Sequence, residues 1–199
     1  MLRRSRFLNF LPAKGDVMHA TLADVIADTA QNSIEAGAAN VEVTVREGEG
    51  RISVDIRDDG KGMDEATLKR AFDPFYTEPG KHDKRKVGLG LPLLKQICEA
   101  CGGGVSLESR KGEGTHLSYD FDAANIDLPP MGDLAETMVT LFNYPGAFEL
   151  AFTHKKGSEE YSVSRSELSE AVGGLETLDG ISLAKEFMRS QEDSLSCVL

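Results

Sequence analysis

The chain has no tryptophan, only three cysteines and a 7% share of aromatic residues. Three cysteines in 199 residues cannot form a disulfide framework, which excludes a small secreted scaffold held by bridges. Long apolar runs are missing as well. Stretches such as "GLGLPLL" fall far short of the roughly 20 residues that a membrane helix requires. The opening "MLRRSRFLNFLPAKGD" is positively charged, but its apolar run is shorter than the roughly 7–15 residues of a signal-peptide core. The expectation is a cytoplasmic protein without membrane association. Positive charge is scarce in the second part: residues 1–125 hold 17 Lys and Arg against 20 Asp and Glu, whereas residues 126–199 hold 5 against 13. A summed field of that sign repels polyanions, so nucleic acid is not an expected partner and any phosphate site must be local.

What is present is a globular composition, 40% hydrophobic and 28% charged. Leu22, Val25, Ile26, Ala30 and Ile34 recur at three- and four-residue spacing and predict a helix over residues 19–36, ended by Gly37. "NVEVTVRE" and "RISVDIRD" alternate apolar and polar residues around "GEG", the pattern of an antiparallel hairpin with one buried face. A short helix is expected from Asp64 to about Ala71. From Asp73 to Val87, "DPFYTEPGKHDKRKV" has no sustained period and reads as a long loop. Helical spacing resumes in "GLGLPLLKQICEAC", with Leu89, Leu93, Ile97 and Ala100 along one side, and "GGG" stops it. Two strands, "GVSLESR" and "THLSYDF", follow around "KGEG".

The expected organisation is a first domain over residues 17–122, a linker over 123–132 and a small α+β module over 133–199. The module should comprise a helix at about 133–142 capped by Asp133, a hairpin turning at Lys156 and Gly157, and helices over "RSELSEAV" and "ISLAKEFMRSQ". It is small for an independent fold, which predicts docking on the first domain or on a protein partner.

Five short patterns in the first domain carry chemistry: "DTAQN", "DDGKGM", "FDPFYTE", "GLGL" and "GEGT". Asp28 and Asn32 lie one helical turn apart, either solvated or forming a hard-oxygen site. Asn32 could contact Mg²⁺, and Asp28 could orient or deprotonate a water or hydroxyl. Asp58 ends a strand, and Gly60 and Gly62 let backbone approach a ligand, so the carboxylate can accept from an amino group such as that of adenine. The glycines of "GLGL" at a helix start offer N–H groups to phosphates, with Lys81, Lys84, Arg85 and Lys86 just before them. Thr115 could bond a base directly or through water. Taken singly, a D-x-G-x-G is more often a tight turn and a Lys-rich loop more often solvated surface. Their order and spacing on the expected elements raise the joint weight. Cys98 and Cys101 lack further metal ligands and read as small buried residues.

On these motifs the first domain resembles the GHKL ATPase domain shared by gyrase, the large heat-shock chaperones, histidine kinases and mismatch-repair ATPases of the MutL type. The resemblance implies an α/β sandwich of the histidine-kinase ATPase (Bergerat) type, a mixed sheet with helices on one face that binds ATP and Mg²⁺. By motif match it assigns Asn32 to the metal and Asp58, Gly60, Gly62, Met63 and Thr115 to the adenine side. Phe72 and Phe75 become lid aromatics. Lys84, Arg85, Lys86, Gly88, Leu89, Gly90 and Leu91 fall on the phosphate side, and Asp28 becomes the catalytic carboxylate. "FDPFYTE" and "GLGLPLLKQI" resemble histidine kinases most, whereas "NSIEAGA", with Glu35, is closer to the mismatch-repair and gyrase form. Departures are Asp28 where hydrolytic members carry glutamate, Lys86 where a further glycine is usual, and no helical hairpin ahead of the domain to carry a phosphoaccepting histidine. His19 reads as structural or surface.

The implied activity is ATP hydrolysis or phosphoryl transfer to a protein in signalling. The alternative is a nucleotide-gated interaction module without turnover. Fainter alternatives are an anti-sigma-type serine kinase and a MutL-like dimerising ATPase. Implied partners are a redox or hydrogenase-associated protein, a response regulator, or a second copy in a homodimer.

Overall fold

The computed structural model describes residues 21–73 and 90–196. Helix α1 (Leu22–Glu35) begins at a capping box: the Asp24 N–H donates to the Thr21 hydroxyl at 3.1 Å, and the Thr21 N–H donates to the Asp24 carboxylate at 3.0 Å. Such a box is worth about 1 kcal/mol to a helix start. The next two orphan donors, Leu22 and Ala23 N–H, reach the carbonyls of Pro130 and Met131 at 2.9 and 2.8 Å. The Pro-rich segment expected as a linker is therefore bonded to the start of α1.

All five apolar residues of the expected stripe, from Leu22 to Ile34, are buried. They face a sheet whose first two strands, β1 (Asn40–Gly48) and β2 (Arg51–Asp58), turn through Glu49 and Gly50 at φ 53° and 73°. Two positive φ values suit the type I′ turn of a tight hairpin. Asp64 caps the short α2 (Glu65–Arg70), and α3 (Gly90–Ala100) leads into β3 (Val105–Arg110) and β4 (Gly114–Asp122). On α3 the buried positions are Pro92, Leu94 and Cys98. This corrects the expected stripe of Leu89, Leu93, Ile97 and Ala100: Leu89 lies outside the described residues, and the core-facing line runs through Leu94 and Cys98 because that side meets α1, β3 and β4. Cys98 and Cys101 are both buried free thiols, and burial pushes Cys98 up to about 12.

The later elements are α4 (Leu134–Phe142), β5 (Glu149–Lys156), β6 (Glu159–Ser164), α5 (Arg165–Val172) and α6 (Leu178–Ser196). The hairpin of β5 and β6 does not form a layer of its own. β5 runs parallel to β1, with Asn40 opposite Glu149 and Val43 opposite Phe152, giving one six-stranded mixed sheet in the order β3-β4-β2-β1-β5-β6. Val41, Val43, Val45, Val54, Ile56, Tyr119, Phe121, Leu150 and Phe152 point from it into one core beneath the helices. On the opposite face Glu42, Arg46 and Arg57 are exposed. The architecture is a two-layer α/β fold with a mixed sheet.

A polar cluster interrupts the core at β5. His154 on β5 is 2% exposed, its Nε2 3.0 Å from Glu47 of β1 and its Nδ1 3.0 Å from Glu192 of α6. The Tyr161 hydroxyl of β6 donates to the same Glu192 oxygen at 2.5 Å. Burial opposes charge on the imidazole, but the Glu192 and Glu47 carboxylates outweigh it and push His154 up to about 9. The resulting ion triad fastens α6 to three strands.

Candidate functional site

Strand register builds one end of the site. Asp58 is the cross-strand partner of Thr115, and Thr115 is in turn the partner of Ser109, so three polar side chains line up across β2, β4 and β3 on the helix-covered face. Helix α1 adds Ser33, whose buried hydroxyl donates to Asp58 Oδ2 at 2.7 Å. The Gly60 N–H donates to Asp58 Oδ1 at 2.9 Å. Among the described residues the carboxylate is thus fixed by one donor on each oxygen and keeps further lone pairs open.

The loop "DDGKGM" is held against three neighbours. Its Lys61 N–H donates to the Ala36 carbonyl at the end of α1 at 3.1 Å, and the Gly112 N–H donates to the Lys61 carbonyl at 2.8 Å. Asp59 accepts from the Ala39 and Asn40 N–H groups at 2.7 and 2.8 Å, and these bonds hold its carboxyl below the usual range. Gly62 has φ 57°, and a Cβ there would lie 1.9 Å from the Arg110 carbonyl oxygen; at Gly114, φ 93°, it would lie 1.9 Å from the Asp58 carbonyl oxygen. No side chain fits at either place, because the clash is with backbone. The Met63 N–H closes the loop by donating to Ser109 Oγ at 2.9 Å.

The other end lies on α1. Asp28 and Asn32 are half-buried and one turn apart. The first residue of α3, Gly90, sits against both: a Cβ on it would be 2.6 Å from Asp28 Oδ2 and 3.9 Å from Asn32 Nδ2. Beneath them the Thr29 hydroxyl lies 3.3 Å from that of Tyr119, which burial keeps protonated far above the usual phenol range. Leu91 is half-buried against the core, and Phe72 lies beside α3 with Lys95 Nζ 5.7 Å from its ring centre. The remaining expected contacts, Phe75, Lys84, Arg85, Lys86, Gly88 and Leu89, lie outside the described residues, as does His19. Among the described residues no three His, Cys, Asp or Glu side chains form a ready metal cage.

Ser33 and Ser109 are given no role by the sequence motifs, and Gly114, though inside "GEGT", is not singled out there. The signal that could find them is register: counting back from Thr115 across "KGEG" pairs it with Ser109, and the hairpin phase that puts Asp58 inward does the same for Thr115. Glu35, a departure from the histidine-kinase pattern, accepts from Gln31 Nε2 at 2.7 Å and from the Tyr144 hydroxyl at 3.0 Å, tying α1 to the segment after α4.

A family model described as histidine kinase-, DNA gyrase B-, and HSP90-like ATPase matches residues 19–125. Sensor histidine kinase YxdK of Bacillus subtilis is 32% identical over 100 residues, covering 48% of this chain and 31% of that protein. Sensor histidine kinase AruS of Pseudomonas aeruginosa is 31% identical over 133 residues, 60% of this chain and 13% of that one. The chain therefore spans under a third of either relative. A crystal structure of the N-terminal domain of a DNA repair protein shares the fold at a TM-score of 0.56 and 15% identity, over 82% of this chain and 59% of that one.

Proposed function

The chain belongs to the histidine kinase-, DNA gyrase B- and HSP90-like ATPase family, and from that membership we propose that it binds Mg·ATP between the Asp58 cluster and the Asp28–Asn32 face of α1, and turns it over in protein signalling. The observation that carries this reading is that one helix serves both ends: Ser33 fixes the base-reading carboxylate while Asp28 and Asn32 face the start of α3. The donor set suits the group. Asp58 offers open lone pairs to an amino group, the Asn32 side-chain oxygen is a hard ligand of the kind Mg²⁺ takes beside phosphate and water, and Gly62 and Gly114 keep backbone close without side-chain bulk. Bound Mg²⁺ would neutralise phosphate charge; the chain's own contribution is to orient. Asp28 Oδ2, beside Gly90, holds or takes the proton of an attacking water or of a partner's hydroxyl.

A nucleotide-gated interaction module without turnover is the second reading, supported by the reach of Asp28, one methylene shorter than a glutamate. In either reading a protein partner, such as a response regulator or a redox protein, or a second copy of the chain receives the signal, and the acidic segment after residue 126 is the surface proposed to meet it. Calorimetric titration with Mg·ATP tests the binding claim. Heat is expected for wild type and its loss for Asp58→Ala; no heat with wild type removes the proposal. Phosphate release and label transfer to candidate proteins separate the readings: turnover abolished by Asp28→Asn supports catalysis, and binding without turnover supports gating.

A further inference from the structure

The segment after residue 126 encloses a cavity of its own. It measures about 300 Å³, opens to solvent, and lies between the end of α4, the start of β5 and α5, beyond the last residue of the family match. Phe142 and Leu175, both buried, give it an apolar wall, and Glu149, Glu176, Ser166 and Ser169 give it a polar one. The Glu149 carboxylate is fixed on one side only. Its Oε1 accepts from the Ser166 N–H and hydroxyl at 3.1 and 3.0 Å, and its Oε2 meets no donor among the described residues. Glu176 is exposed and has no hydrogen bond or ion pair among the described residues.

The cations that would answer these carboxylates are engaged elsewhere. Residues 126–199 hold only 5 Lys and Arg. Lys155 faces Glu160, Lys156 faces Glu47, Lys185 faces Glu136, and Arg189 faces Asp133 and Glu136. The last, Arg165, lines the cavity but donates to the carbonyls of Phe142, Gly146, Phe148 and Tyr144 at 2.7, 3.2, 2.7 and 3.5 Å, and stacks on the Phe148 ring at 4.2 Å. An anionic ligand would therefore meet two carboxylates and a guanidinium with a single N–H left to give. A cation meets two carboxylates without a counter-ion, inside a segment whose 13 Asp and Glu outnumber its 5 Lys and Arg and draw it in. We propose that this cavity binds the guanidinium or ammonium end of an arginine or lysine side chain presented by a protein partner, with the alkyl stem against Phe142 and Leu175 and the charged end on Glu149 and Glu176. It rests on the reading in which the acidic segment meets a partner, and it does not involve the nucleotide.

Side-chain mimics titrated onto the isotope-labelled full chain, with backbone amide shifts as the readout, test this. The probes are the end-blocked tripeptide Gly-Arg-Gly, its citrulline counterpart, which keeps the shape without the charge, and butylguanidinium. The arginine peptide is expected to move the Glu149, Ser166 and Ser169 amides saturably, with a dissociation constant on the order of 1 mM. The citrulline peptide should bind at least about tenfold more weakly. Glu149→Gln keeps an acceptor for Ser166 and should weaken the arginine peptide about five- to tenfold. Glu176→Gln changes an exposed side chain bonded to nothing described, should weaken it about two- to fivefold, and decides the matter if Glu149→Gln does not fold. Butylguanidinium separates the sources: weaker binding than the peptide supports a partner's side chain, and equal binding overturns the partner and leaves a site for a free small cation. Equal affinity for the citrulline peptide, or affinity unchanged in both variants, overturns the cavity as a cation site. Shifts spread along the acidic residues of β6 and α6 instead of the cavity also overturn it, and leave standing the broader reading that the acidic segment meets a partner.

Discussion

Two polar clusters interrupt the same apolar face of the same sheet, at Asp58 in β2 and at His154 in β5. At His154 every group meets a counterpart: each ring nitrogen faces a carboxylate, and the Tyr161 hydroxyl is given to Glu192. At Asp58 the donors Ser33 and Gly60 fix the carboxylate and stop there, leaving its remaining lone pairs without a donor among the described residues. Burial alone would rank His154 the better candidate for chemistry, since it is the more enclosed and its proton affinity is raised. Closure of the hydrogen bonds reverses that ranking: a closed cluster holds the fold, and the open one is where the proposed nucleotide finds acceptors to pair with.

The contrast can be broken most directly at His154. His154→Ala leaves Glu47 and Glu192 facing each other without the cation between them. Removal of one member of such a buried group costs about 3–5 kcal/mol. Urea unfolding should show that loss, while the ATP affinity of the folded protein stays within about twofold; a parallel fall in affinity would mean that the two clusters are one unit.

The same cluster should be visible in pH. Its folded-state value of about 9 lies above the ordinary 6.5 of histidine, so the stabilisation is complete below pH 6.5 and is lost as pH rises through 9. The loss should amount to about 3 kcal/mol across that window. It should be absent from His154→Gln, and a wild-type stability that stays level over the window would show that the imidazole is neutral.

At the open cluster, Gly62→Ala forces a Cβ into the Arg110 carbonyl at a positive φ. A cost of about 2–3 kcal/mol in thermal or urea unfolding is expected. Unlike the change at His154, it should also weaken ATP binding severalfold, because the loop carrying Met63 must shift; unchanged affinity would detach that loop from the site. Smallest is Tyr144→Phe, which removes the hydroxyl's bond to Glu35 and the one it accepts from Gln31 while Gln31 keeps its own bond to Glu35, and should cost about 1 kcal/mol in urea unfolding. A larger loss would mark Tyr144 as a junction between α1 and the later segment.

Much of this is legible in the residues because it is local. The α1 stripe, the hairpin around Gly50, the Asp64 and Asp133 caps and the strand-ending Asp58 depend on neighbours within a few positions, and each lies where its pattern puts it. The facing side of α3 differs from its pattern because a short helix with apolar residues on several sides has no single period, and only α1 and the sheet decide which line is buried. His154 is invisible in sequence for a different reason: its partners Glu47 and Glu192 lie on distant elements, and no spacing rule joins them. Ser33 and Ser109 fall between these cases, set by strand and helix phase but inconspicuous beside the motif positions.

The parallel pairing of β5 with β1 also bears on how the chain is made. A ribosome releases β1 and β2 long before residues Glu149–Lys156 exist, so for that interval β1 is an edge, its outer N–H and C=O groups bare and its Val41, Val43 and Val45 partly uncovered. Bare edges recruit other strands. The later hairpin thus acts as a closing seam, and a chain cut before Glu149 is expected to aggregate even though all the motifs proposed to read the nucleotide remain intact.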